Sequence, residues 1–195
     1  MSEMDENLTV EQSLDIITKM IRQAQGRFSG NSFYFILWGW CVVAANLGMY
    51  VLMRFSDYPY PYLVWLITVP AWIITLVYAF GRDRRGNTRS HLDQVNLWLW
   101  LSLGISMFIV CSFGYVIAWN LNPVILLMGA IPTFVSGMII RFKPLLIGGI
   151  SFWIGGLICF LVPHQEQYLV GAIAIAFGYL WPGYLLKKLR NSVDV

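Results

Sequence analysis

Side chains able to do acid–base, nucleophilic or metal chemistry are sparse in this chain, and their spacing matches no catalytic or metal-binding template. His91 and His164 are the only histidines, and long apolar segments keep them apart. His164 and Glu166 form the one close pair, on a five-residue polar stretch. Cys41, Cys111 and Cys159 each lie inside an apolar run. With no CxxC and no Cys/His ligand spacing they read as small buried residues, not as a disulfide framework or a zinc site. GxSxG, HExxH, Walker A and GxGxxG patterns are absent. The residues therefore predict a non-enzyme without cofactor or metal.

What remains is neutral polar chemistry. Asn46, Thr75, Ser106, Thr133 and Ser136 stand inside apolar runs and are the candidate contacts for a small neutral or lipid-like solute. Asn46 carries the sharpest alternative. A mid-membrane amide needs partners, and a neighbouring helix is the usual source. The one strongly basic stretch, "GRDRRGNTRSH" from Gly81 to His91, holds Arg82, Arg84, Arg85 and Arg89. It lacks aromatic residues for base stacking and lies between two apolar runs, so nucleic acid is not its expected partner. Anionic phospholipid headgroups, or a cytoplasmic protein, fit it better. A headgroup enzyme built on these arginines with Asp83 and Asp93 is the weakest reading.

The elements that would position these residues follow from composition. Hydrophobic residues make up 58% of the 195 and charged residues 12%, against about 25% charged in soluble domains. Six runs carry no Asp, Glu, Lys, Arg or His: Phe33–Met53, Tyr62–Phe80, Leu97–Trp119, Val124–Ile140, Leu145–Val162 and Tyr168–Leu186. Each approaches the ~20 residues that cross ~30 Å of hydrocarbon as a helix, and unpaired backbone is not tolerated there. The predicted fold class is all-α, an integral-membrane six-helix bundle over 33–186. The absence of charge inside the runs argues against an ion-coupled pump, a voltage sensor or a carboxylate-dependent intramembrane enzyme.

Lys and Arg fall 12 to 1 on the side that holds both termini, Arg54 being the exception. The positive-inside rule places that side in the cytoplasm, in a bacterial-type cytoplasmic membrane. The acidic tail 1–8 has no basic start before a short apolar core, so a cleaved signal peptide is not expected. Thr9 and Gln12 have capping-box spacing. They open a predicted amphipathic helix over 9–28, with Val10, Leu14, Ile17, Ile21, Ala24 and Phe28 on one face. Such a helix lies in the interface, docks under the bundle or binds a partner. Ser90 with Asp93 resembles a second capping box, and 187–195 is a basic tail.

Small residues at four-residue spacing, such as Gly129, Thr133 and Gly137, predict close helix packing. Pro70, Pro132 and Pro182 predict kinks. The matching spacings Pro61/Pro70 and Pro123/Pro132 suggest one internal repeat, and the two "FGY" triplets, Phe113–Tyr115 and Phe177–Tyr179, suggest a conflicting one. The expected function is a non-pump transporter or channel for a small neutral or lipid-like solute. The alternative is a non-catalytic anchor or regulatory subunit, binding a cytoplasmic partner, anionic lipid or a second copy through the 9–28 helix and the 81–96 loop.

Overall fold

The computed structural model describes residues 32–83 and 91–193. The tail 1–8, the 9–28 helix, Arg84, Arg85, Arg89 and Ser90 lie outside the described residues. The described chain is all-helical, without strands. In order, α1 is Ser32–Phe55, a 3₁₀ segment Pro61–Ile67 runs into α2 (Thr68–Asp83), and α3 is His91–Ser112. A 3₁₀ turn Gly114–Ile117 leads to α4 (Leu121–Ile139) and α5 (Lys143–Leu161). Then α6 (His164–Ile175), a π turn Ala176–Leu180 and α7 (Trp181–Val193) form one continuous rod. Six helical stretches are long and apolar enough to cross a membrane: Ser32–Phe55, Pro61–Ala79, Gln94–Ser112, Leu121–Ile139, Lys143–Leu161 and His164–Lys188.

The ends of these spans differ from the apolar runs for local reasons. The third run continues to Trp119, but α3 stops at Ser112. Beyond it the chain turns through Ala118 and Trp119, both at positive φ (50° and 59°). Gly114 sits under the Trp119 ring, where a Cβ would come within 2.8 Å of it. The sixth span starts at His164, four residues before its apolar run, and α4 starts at Leu121, so Pro123 lies inside the helix.

The three prolines act differently. Pro70 stands in the first turn of α2 and removes one donor there, and the turns ahead of it are wound as 3₁₀. Pro132 is buried within α4, which continues through it. Pro182 cannot donate to the carbonyl of Gly178, and the turn ahead of it is wound as π. The two "FGY" triplets fall in unlike structures, a loop turn and a π turn.

Packing divides the spans into two groups. The first, fourth, fifth and sixth are between 39% and 50% buried, whereas the second and third are each 6% buried. Val43, Leu126, Ala130, Phe152, Ala172 and Ile175 centre the core. A second cluster, Phe35, Ile140, Phe142, Leu145 and Leu186, closes it at the end that holds Arg141, Lys143 and Lys187, called here the basic end. The tightest approaches run through α5. A Cβ at Gly148 would lie 2.6 Å from the Gly178 carbonyl oxygen, and one at Gly149 2.9 Å from the Phe134 backbone. At Gly155 it would lie 2.7 Å from the Ala174 Cβ, and at Gly156 2.9 Å from Leu127. The seven-residue repeat of Gly-Gly pairs thus lets α5 press α4 with one edge and the α6–π–α7 rod with the other.

Gly148→Ala should lower unfolding stability in mild detergent by about 1–3 kcal/mol, the usual cost of overpacking, because the obstructing atom is backbone. Gly81→Ala meets nothing within 4 Å. Its unfolding midpoint should hold or rise slightly, as expected for a helical glycine replaced by alanine.

Candidate functional site

The five predicted contact residues do not converge on one cavity. Thr75 faces α1, where it accepts a hydrogen bond from Trp38 Nε1 at 3.0 Å. The Trp38 ring meets Trp72 edge-on, with centroids 5.2 Å apart. Thr133 is fully buried, donates to its own helix at Gly129 O over 2.7 Å, and shares a side-chain hydrogen bond with Tyr179 of the π turn. Ser136 joins α4 to α3: it donates to Asn96 Oδ1 at 2.6 Å and accepts from Trp100 Nε1 at 3.1 Å. Asn46 is fully buried, and its Nδ2 donates to Val42 O at 2.9 Å within α1. Ser106 is half-buried on α3 and joins none of these sets. Arg82 is in the last turn of α2.

These side chains fall instead into two buried layers. Toward the basic end, Asn96, Trp100, Ser136, Thr133 and Tyr179 tie α3 and α4 to the π turn. Tyr179 also packs its ring against Phe35, Phe152 and Trp100. Toward the opposite end, Asn46 of α1 meets Asn122 of α4 over Gly171 of α6. Gln167, one turn from Gly171, donates through Nε2 to Asn120 Oδ1 at 3.3 Å.

Asn96, Asn122 and Gln167 escaped the sequence reading because each lies just outside an apolar run. Helices α3, α4 and α6 begin before the apolar residues do, so their first polar turns are drawn into the bundle. A polar residue one or two positions ahead of an apolar run, on the face that the run buries, was the available signal.

An open groove lies elsewhere among the described residues. It encloses about 900 Å³ and runs between α1 and the second span. Phe33, Ile36, Trp40 and Cys41 form one wall, Pro70, Ile74 and Tyr78 the other, and Lys187 stands at its basic end. Phe33 stacks on Tyr78 with centroids 4.5 Å apart, which holds the two walls at that end. The Cys41 thiol donates to Ile67 O at 3.4 Å, at the junction between 3₁₀ segment and α2. Trp40 Nε1 donates to the Tyr184 hydroxyl at 2.9 Å and so fixes its ring. From Ser32 to Ala44, the α1 limits of the lining, the groove runs roughly 18 Å along the helix. That is a little more than one leaflet of a ~30 Å hydrocarbon layer. Trp72 and Trp153 are 50% and 38% exposed on the bundle surface.

Ser136→Ala should leave Asn96 and Trp100 without their shared partner and cost about 1–3 kcal/mol of unfolding stability. Ser102→Ala removes only an exposed hydroxyl bonded to its own helix at Leu99 O, and should stay within about 0.5 kcal/mol. Thermal unfolding of the two variants in one detergent compares them directly. Comparison of the chain with family models, curated proteins and solved structures finds no match in any of the three.

Proposed function

We propose that this multi-pass membrane protein is a non-pump transporter that takes a lipid-like amphiphile into the groove between α1 and the second span. The 12 to 1 distribution of Lys and Arg supports placing the basic end and both termini in the cytoplasm of a bacterial-type cell. The groove then opens in the inner leaflet. It is the observation that carries the reading: an apolar trough a leaflet deep, with one cationic side chain, Lys187, at the headgroup level. A lipid-like molecule with an anionic head matches both features, and the basic end suits anionic phospholipid generally. The neutral interior favours equilibration or exchange over a proton- or ion-driven cycle, since the apolar runs hold no Asp, Glu, Lys, Arg or His.

A small soluble solute is the weaker half of the original expectation. Thr75, Thr133, Ser136 and Asn46 spend hydrogen bonds on the protein itself. The role of membrane anchor or regulatory subunit draws its support from the second and third spans, whose broad apolar faces a partner or a second copy could cover.

The test is lipid movement in reconstituted vesicles. Full-length protein should move a fluorescent phosphatidylglycerol analogue between leaflets well above the protein-free rate. Ile74→Trp, which fills the groove from an exposed position, should cut that rate about tenfold with the unfolding midpoint unchanged. Lys187→Glu should reduce the preference for phosphatidylglycerol over phosphatidylcholine by roughly fivefold, as ~1 kcal/mol per basic residue implies. Movement equal to that of empty vesicles overturns the reading.

A further inference from the structure

Two buried side-chain oxygens in the layer opposite the basic end have no hydrogen-bond partner: Asn46 Oδ1 and Gln167 Oε1. Their residues are 0% and 5% exposed. In hydrocarbon such an acceptor has no solvent to fall back on, so each one needs a donor. The surroundings show where one would sit. Over Gly171, the position that a Cβ would occupy lies 3.0 Å from Asn46 Oδ1 and 3.5 Å from Asn122 Oδ1. Two acceptor oxygens thus lie together against Gly171, Asn46 Oδ1 has no donor, and any side chain at 171 would crowd it.

Charge restricts what can fill it. Acceptor oxygens repel an anion. Asn122 and Gln167 stand in the first turns of α4 and α6, where the positive end of each helix dipole opposes a cation. A small neutral donor is left. We infer that the Gly171 cradle is a binding site for one neutral, water-sized hydrogen-bond donor, occupied in the resting protein by a water that bridges Asn46 Oδ1 and Asn122 Oδ1. Asn120, half-buried at the start of α4 and bonded to Gln167 Nε2, connects this layer toward the bundle end. Gln167 Oε1 accepts from a second water on that path.

The site is independent of the lipid groove, which touches none of these residues. Its test is an experimental structure of the full chain below about 2 Å, grown in sodium and in rubidium salt. The expected result is a density peak in hydrogen-bond range of Asn46 Oδ1 and Asn122, unchanged between the two salts. An empty cradle with the Asn122 amide turned to donate directly to Asn46 overturns the inference. So does a peak with short metal-like contacts or a rubidium anomalous signal.

A solution measurement stands beside it. Gly171→Ala sets a methyl group against Asn46 Oδ1, blocks the donor's approach to it, and should lower the unfolding midpoint by about 3–8 °C. In the Asn46→Ala background, which has already lost the acceptor, the same change should shift it by less than half as much. Equal shifts in both backgrounds count against the site.

Discussion

Helices immersed in hydrocarbon gain little by hiding leucine and isoleucine from one another, because lipid tails are as apolar as those side chains. What holds this bundle is contact between backbones, and contact needs residues without bulk. Helix α5 supplies it with Gly148–Gly149 and, seven residues on, Gly155–Gly156. One glycine of each pair faces α4 and the other faces the α6–π–α7 rod. The rest of the architecture follows from that double contact. The fourth, fifth and sixth spans close into a slab, and α1 seals it by laying Gly39 against Leu180 and Tyr179. The second and third spans have few such positions. They are held by side chains instead: Val64 over Gly48 and Trp38 on Thr75 seat the second span on α1, and Asn96 and Trp100 tie the third to Ser136 of α4. Their loose seating leaves the groove open along α1.

Backbone geometry bends at two levels, and both bends have a chemical origin. Proline removes a donor from each ladder, and in lipid the displaced carbonyls must still be paired. The second span meets this by starting as 3₁₀ and changing to α at Thr68, where the Cys41 thiol reaches the Ile67 carbonyl. The sixth span meets it with a π turn that brings Tyr179 under Phe152 and beside Thr133. One irregular segment therefore borders the groove and the other sits in the core. The second is clamped by aromatic rings on three sides.

The six spans and the absence of internal charge were legible from apolar run length alone, since hydrocarbon thickness imposes that signal on every crossing segment. Helix ends were not. Run length registers hydropathy, whereas α3 stops at Ser112 for reasons of turn geometry, and α6 begins at His164 within polar sequence. The same gap hid the polar layers. Asn96, Asn122 and Gln167 look like loop residues in the sequence, yet each lies in the first or second turn of its helix and is buried. Ser136 and Thr133 were visible as polar residues within a span. Their partners were not, because pairing across helices depends on rotation about each helix axis, which small-residue contacts set and hydropathy does not.

The division between layers and groove bears on which surfaces are free to act. A buried amide or hydroxyl with its hydrogen bonds made is costly to uncouple in a medium without water. Thr133, Ser136 and Asn96 are bound in this way, and they serve to fix the rotation of α3 and α4 against the π turn. The groove is the reverse case. Its walls meet at Phe33 and Tyr78, at Trp38 and Thr75, and at Cys41 and Ile67, and between these points they expose apolar surface that lipid already wets. Filling it breaks no hydrogen bond, so an amphiphile could exchange there without loosening the glycine-packed slab behind it. The proposed passive handling of a lipid-like molecule draws on this separation of a rigid core from one soft flank.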